Sequence, residues 1–351
     1  MELKIIETDK KKQKPSGALG FGKYFTDHMF VMEYDDGKWH DARIQPYAPF
    51  TLQPCCSVFH YGQGVFEGTK AYKNKKGEVR LFRPKDNLLR LNDSSDRVCI
   101  PPIDVDFVLD ALKKLVMLDS DWIPTDEGTS LYIRPSVIAT ENALGVHAAK
   151  SYIFFIILSP SGSYYAHGLE PVRLCVEEKY VRAAKGGTGH HKVIGNYAAS
   201  LKAGEQAALK GYDQVMWLDG KEHKYVEEVG SMNIFFVFDG VVKTPALLGS
   251  ILPGITRRSV IELLKSEGVT VEECEIPIAD VIDGAVSGRL EEVFGTGTAA
   301  VISPVGDFGY RGKDYAVGGG KMGKITKHVY ETLTGIQTGK IADPFGWVIK
   351  L

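Results

Sequence analysis

The apolar positions of this chain change period repeatedly, and each change marks an element. In D-F-V-L-D-A-L-K-K-L-V-M-L, Val108, Ala111, Leu112 and Leu115 recur at the three-and-four spacing of one helical face, which predicts a buried helix. M-F-V-M-E-Y reads as a strand and T-K-A-Y-K-N-K-K-G-E-V-R-L-F as a hairpin. T-S-L-Y-I-R-P and Y-I-F-F-I-I-L follow as strands, the second apolar enough to lie inside a sheet. The Ser-, Gly- and Pro-rich stretch S-P-S-G-S-Y-Y-A-H-G-L-E-P has the composition of a connector. It divides a smaller α/β domain over residues 1–160 from a larger domain over 173–351, with 161–172 as the link. In the larger domain Val172 to Glu178, Q-V-M-W-L-D, N-I-F-F-V-F and V-T-V-E-E-C-E-I read as strands. Helices are expected over Ala198 to Leu209, closed by Gly211, over T-R-R-S-V-I-E-L-L-K, and over Met322 to Leu333.

Composition narrows the class. A length of 351 residues favours two domains, each able to bury a core. Apolar residues at 44% and charged residues at 25% are ordinary for a soluble globular protein. A net charge of −2 provides no global field for nucleic acid or an anionic membrane, which leaves a small-molecule role. The basic run Lys10, Lys11, Lys12 and Lys14, flanked by acidic residues and Pro15, reads as a solvated N-terminal arm. No stretch reaches the ~20 apolar residues of a membrane span, and the first 25 residues lack a signal core. Five cysteines without C-x-x-C spacing argue for reduced thiols in a cytoplasmic protein, with neither a disulfide framework nor a zinc site.

Glycine supplies 38 residues, concentrated at 186–195, 249–254 and 295–297, and such clusters allow the close backbone approach that phosphates exploit. Gly295, Gly297 and Ala300 satisfy the loose G-x-G-x-x-G/A fingerprint of a dinucleotide-dependent oxidoreductase. After Ala300, however, Pro304 and three glycines leave no room for the crossover helix that fingerprint requires. His190 and His191 are adjacent on a chain read as extended, so they point apart and lack a third metal ligand at recognisable spacing. A serine hydrolase would need a G-x-S-x-G elbow, which is missing.

Lys192 stands in G-G-T-G-H-H-K-V-I-G-N-Y-A-A-S, between a glycine-rich run and a helix start. A lysine that forms an imine must lose its proton, and desolvation or nearby cations make that possible. Downstream, E-V-G-S-M-N-I-F, V-K-T and L-P-G-I-T-R resemble the long signature of the class IV, or fold type IV, pyridoxal-phosphate aminotransferases. The Lys192 stretch, with F-G-K-Y-F-T-D-H-M, H-Y-G-Q-G-V-F-E-G and L-Y-I-R-P, is similar to the branched-chain amino acid aminotransferases in particular. The resemblance runs from about Phe21 to Pro304.

The resemblance implies a two-domain α/β (α+β) fold whose larger C-terminal domain carries a pseudo-barrel sheet and binds pyridoxal 5′-phosphate. It makes Lys192 the residue bonded to the cofactor aldehyde and the carrier of the α proton. Glu228 would pair with the protonated ring nitrogen, keeping the ring an electron sink, while Glu227 faces the other way on a regular strand. Tyr197 would donate to the phenolic oxygen. Arg90, Ile255, Thr256, Gly297 and Thr298 would hold the phosphate, Ile255 and Thr256 at a helix start whose positive end attracts an anion. The implied substrate pocket has Phe21, Phe66, Tyr132 and Tyr164 as its apolar lining. Tyr61, Arg134 and the backbone of Thr298 and Ala299 lie near the carboxylates, and Ser231 in the wall stands where many relatives have threonine or glycine. Leu144, Gly145 and Val146 match a loop that closes the neighbouring subunit's pocket, implying a homodimer. Ala300 and Ser303 occupy the positions of a C-x-x-C pair found in some eukaryotic relatives, so that thiol switch is not expected.

The implied reaction is reversible transfer of the amino group of L-leucine, L-isoleucine or L-valine to 2-oxoglutarate. A D-amino acid transaminase or a pyridoxal-phosphate lyase shares the lysine and the glutamate, but F-T-D-H-M and G-N-Y-A-A-S favour the branched-chain group. A binding protein that retains the fold without turnover is a third reading.

Overall fold

The computed structural model describes residues 1–162 and 169–351. The architecture is mixed α/β, and the chain falls into two compact units. The first takes in Met1–Tyr164, Lys192–Gly195 and Gly335–Leu351, and the second Tyr165–His191 and Asn196–Thr334. Two segments therefore depart from a linear division at 161–172. Residues 192–195 join the first unit through a bridge between Val65 and Val193, and the C-terminal strand Val348–Lys350 pairs antiparallel with Val79–Phe82.

A nine-stranded sheet forms the first unit. His28–Asp35 and Ser130–Ala139 flank Tyr152–Ser161, which thus lies inside the sheet as its apolar run suggests. Phe30, Ile44, Leu81, Leu131, Ile133, Phe154 and Ile156 pack with Leu88, Leu91, Val108, Leu112 and Leu115 of two helices, Pro84–Arg97 and Val105–Leu118. The second helix has the expected buried face, and the Asp104 side chain caps it by accepting from the N–H groups of Asp106 and Phe107. Helix Pro84–Arg97 is not legible from periodicity, because Asn87, Arg90, Ser94 and Ser95 occupy buried positions beside Leu88 and Leu91.

The lysines of the basic N-terminal run are exposed, as a solvated arm requires, but the run is tethered to the fold. Asp27 is buried and gathers the Lys12 N–H at 2.8 Å and the Trp122 indole at 2.9 Å, and Lys12 Nζ donates to the Thr26 carbonyl at 2.7 Å. A buried carboxylate demands partners, and the arm supplies them.

The second unit has its own nine-stranded sheet, with Leu174, Met216, Ile234, Phe236, Val293 and Phe308 in its core. Strand Leu290–Gly297 turns directly into antiparallel Val301–Tyr310. The glycine pair there lies in a hairpin, which excludes the strand–turn–helix a dinucleotide fingerprint needs. The helix expected over Ala198–Leu209 is two helices, Gly195–Ala198 and Leu201–Leu209. Ser200 Oγ donates to the Tyr197 carbonyl at 2.8 Å, a side-chain alternative to continuing the helix. Gly211 follows the second helix at φ 81°, left-handed as its role requires. Among the described residues no helix is long and apolar enough to cross a membrane, and no group of His, Cys, Asp or Glu could hold a metal ion.

Candidate active site

Lys192 is held by its backbone at the end of the glycine-rich run. Its N–H donates to Ser94 Oγ at 2.9 Å and its carbonyl accepts from the Phe66 N–H at 3.1 Å. The ammonium then lies 4.5 Å from the centroid of the Phe66 ring. The Arg134 guanidinium also lies 4.5 Å from that centroid and donates to the Tyr132 hydroxyl at 3.2 Å. Phe21 meets Tyr132 edge-on, with ring centroids 4.8 Å apart. Five expected site residues thus form one cation–aromatic cluster within the first unit. Both cations are attracted to the π-face of the same ring.

Beside the cluster, Glu67 is fully buried and accepts from Arg90 Nε at 2.7 Å and Nη2 at 2.9 Å, as well as from Asn87 Nδ2 at 2.9 Å. Burial alone would push the Glu67 carboxyl up, but Arg90, Lys192 and Asn87 together outweigh it and hold it below the usual carboxylate range. Glu67 sits in the quoted F-E-G motif, yet its type gives no sign of this role.

The second unit contributes a cleft lined by Arg182, His191, Asn196, Tyr197, Ser200, Glu228, Gly230, Ser231 and Leu252. Glu228 Oε1 accepts from Asn233 Nδ2 at 3.2 Å and from the Leu252 N–H at 3.3 Å, while Oε2 lies 2.5 Å from Arg182 Nε. Glu227 turns away to the Ser250 hydroxyl, as strand alternation requires. Burial pushes its carboxyl up, against the opposing pull of Ser250 and Arg182.

The glycine-rich run is built for close approach. A Cβ at Gly189 would collide with the Ala183 side chain and the Ser250 carbonyl. Asn196 Nδ2 ties the run together through the carbonyls of Thr188 and His191, each at 2.9 Å. The chain turns here, so the His190 and His191 rings lie 5.4 Å apart rather than on opposite sides, and His190 Nδ1 meets the Ile251 carbonyl at 2.9 Å.

A phosphate cradle can be read in the same unit. Helix Ile255–Ser266 starts after Gly254 with no capping side chain and no acidic residue in its first turn, so its positive end is uncompensated. A Cβ at Gly254 would strike Asn233 Oδ1, so any larger residue at that entry has to displace the Asn233 side chain. Thr296, paired with Asn233 across the sheet, has a buried hydroxyl with no hydrogen-bond partner among the described residues. Gly297 ends its strand and Thr298 and Ala299 form the hairpin turn. Val301 follows at φ 64°, with the Ile302 N–H donating to the Ala300 carbonyl at 2.9 Å. A β-branched residue in the left-handed region costs about 1–3 kcal/mol, strain of the kind that concentrates at functional turns.

Tyr61 donates to the Leu144 carbonyl in a loop where Leu144 is 62% and Val146 84% exposed. The expected contact at Tyr164 lies outside the described residues. Sequence reasoning misses Arg182, Asn233 and Thr296. Asn233 is visible as the N of the quoted E-V-G-S-M-N-I-F, whereas Arg182 and Thr296 carry no signal beyond their proximity to motif residues.

The family model for class IV amino-transferases matches residues 64–308. A curated relative, branched-chain-amino-acid transaminase 1 of Bacillus subtilis (strain 168), is 57% identical over 354 aligned residues, covering 99% of both proteins. The chain belongs to the branched-chain amino acid aminotransferases of class IV. Among solved structures, the Escherichia coli branched-chain amino acid aminotransferase matches with a TM-score of 0.76 and 29% identity, covering 92% of this chain and 98% of that one. The branched-chain amino acid aminotransferase of Thermoproteus uzoniensis, solved with norvaline, matches with a TM-score of 0.76 and 27% identity, covering 92% and 99%.

Membership fixes the fold as type IV, with the curled half-barrel sheet of those aminotransferases. Class IV aminotransferases depend on pyridoxal phosphate. The uncompensated helix end and the orphaned Thr296 hydroxyl fit its phosphate, and the buried Glu228 carboxylate fits its ring nitrogen.

Proposed function

We propose that this aminotransferase binds pyridoxal 5′-phosphate and reversibly moves the amino group of L-leucine, L-isoleucine or L-valine to 2-oxoglutarate. The observation that carries the reading is the 57% identity to a branched-chain-amino-acid transaminase across essentially the whole chain. When bound, the cofactor supplies an aldehyde and a ring that accepts the electron pair left at the substrate α-carbon. Lys192 would hold the cofactor through that aldehyde and, once the substrate amine has displaced it, would as a free amine take up the α proton and return it at C4′. Glu228 holds the ring nitrogen protonated, and Tyr197 donates to the phenolic oxygen. Arg90, Ile255, Thr256, Gly297 and Thr298 bind the phosphate.

Phe21, Phe66 and Tyr132 shelter an apolar side chain. Tyr61, Arg134, Ser231 and the backbone of Thr298 and Ala299 complete the pocket, Arg134 taking a carboxylate with its guanidinium. Tyr164 belongs to the same lining on sequence grounds. The protein acts as a cytoplasmic homodimer, with Val146 and its neighbours reaching the other copy's pocket. Their exposure on one chain supports that reading, since apolar side chains gain by being covered.

The test is optical. The purified protein should be yellow, and L-leucine should bleach the visible band until 2-oxoglutarate restores it. Lys192→Ala should lose turnover by about 10²–10⁴-fold and still melt in a cooperative transition, as a folded protein. Parental turnover of L-leucine by that variant would overturn the assignment. Bleaching by D-alanine and not by L-leucine would favour the D-amino acid reading.

A further inference from the structure

Arg182 stands at a junction that no role named above uses. Its side chain is 9% exposed and reaches three segments of the second unit. Nε lies against Glu228 Oε2, while Nη2 donates to the Ser250 carbonyl and, at 3.3 Å, to the Gly189 carbonyl. Each segment leads to a different part of the candidate cofactor site. Gly189 lies three residues before Lys192, and Ser250 lies five residues before the start of the Ile255 helix. Glu228 is the carboxylate of the cleft.

We propose that Arg182 is a positioning residue for the cofactor: one guanidinium fixes the orientation of the Glu228 carboxylate and ties it to the two loops that carry the lysine and the phosphate-binding helix start. This rests on the reading of Glu228 as the partner of the ring nitrogen, and deepens it. Two physical points carry the proposal. A carboxylate only 4% exposed is costly to bury alone, and the residues that hold its other oxygen, Asn233 and the Leu252 N–H, are neutral. Arg182 supplies the cation. The guanidinium is also a fork in reach: Nε lies in ionic contact with Glu228 Oε2 while Nη2 donates to the Ser250 carbonyl, two partners at once that a lysine, with one point charge on a flexible stem, cannot serve.

The experiment uses full-length Arg182→Gln, Arg182→Lys and Glu228→Gln. It measures the dissociation constants of pyridoxal phosphate and pyridoxamine phosphate, the pH titration of the bound cofactor's visible band, and thermal unfolding without added cofactor. Arg182→Gln should weaken both cofactor forms about 100-fold and shift the titration in the same direction as Glu228→Gln. Arg182→Lys should restore the titration, which needs charge, but not the affinity, which needs the fork. A folded Arg182→Gln with parental affinity and titration, beside a Glu228→Gln that alters both, overturns the inference and leaves the Glu228 reading standing. If Glu228→Gln also changes neither, the Glu228 reading fails and the inference with it. Should Arg182→Gln not fold, Arg182→Lys decides: parental affinity in that variant overturns the proposal.

Discussion

Replacing Glu67 by glutamine removes one charge from a buried pair while keeping the side chain's shape. Glu67 is fully buried, and its two oxygens accept from Arg90 Nε and Nη2, Asn87 Nδ2 and the Gly68 N–H, at 2.7 to 3.1 Å. A glutamine offers one acceptor and one NH2, so in either orientation a donor faces a donor, and Arg90 loses its buried anionic partner Glu67. Breaking a buried pair on one side costs about 3–5 kcal/mol. For a unit of this size, where 1 kcal/mol moves the midpoint by about 2–4 °C, the expected fall is roughly 6–20 °C. Scanning calorimetry or circular dichroism, read on the first transition, measures it. Glu67→Gln combined with Arg90→Met removes both charges and should recover at least half of the loss. A fall of less than about 1 kcal/mol for Glu67→Gln, or no recovery in the double variant, would refute the account of a broken buried pair.

Three further outcomes follow from other parts of the fold. Gly254→Ala drives a methyl group into Asn233 Oδ1 and so disturbs the residue that holds Glu228; it should cost about 1–3 kcal/mol of stability and weaken cofactor binding in a dialysis assay. Asp219 accepts four backbone N–H groups from Lys221, Glu222, Lys224 and Tyr225. Although burial pushes its carboxyl up, those bonds bring it down to about 2. Its pKa is depressed on folding, so its contribution is fully present above the unfolded value and fades as pH falls from about 4 to about 2; Asp219→Asn should flatten the acid limb of a stability–pH curve by roughly 1–2 kcal/mol after solvent screening. Val146→Asp places a charge on a side chain that is 84% exposed in one chain. Sedimentation should then show a shift toward monomer and kinetics a raised KM for L-leucine, and an unchanged dimer would count against the loop as interface.

What the sequence determined by itself is what short-range chemistry dictates. The three-and-four spacing marks helix Val105–Leu118 and the apolar run marks strand Tyr152–Ser161, while the family resemblance proposes Lys192, Glu228 and the helix start at Ile255 as parts of one site. Hydrophobic period and turn residues act within a few positions, so they can be read from a line of letters. The tertiary structure decided what depends on partners far along the chain. Helix Pro84–Arg97 is hidden in the sequence because its inward face carries Asn87, Arg90 and Ser94, polar groups that are tolerated there only with Glu67 and the Lys192 backbone as partners. Lys12 is the exposed residue that the sequence suggests, but only the fold shows that its backbone N–H is tied to the buried Asp27. Arg182, 46 residues before Glu228 in the chain, reads as one more surface cation until the fold brings the two to 2.5 Å. A polar side chain does not carry in its own identity whether it will be buried; only the partner that offsets its desolvation, chosen by the fold, decides that.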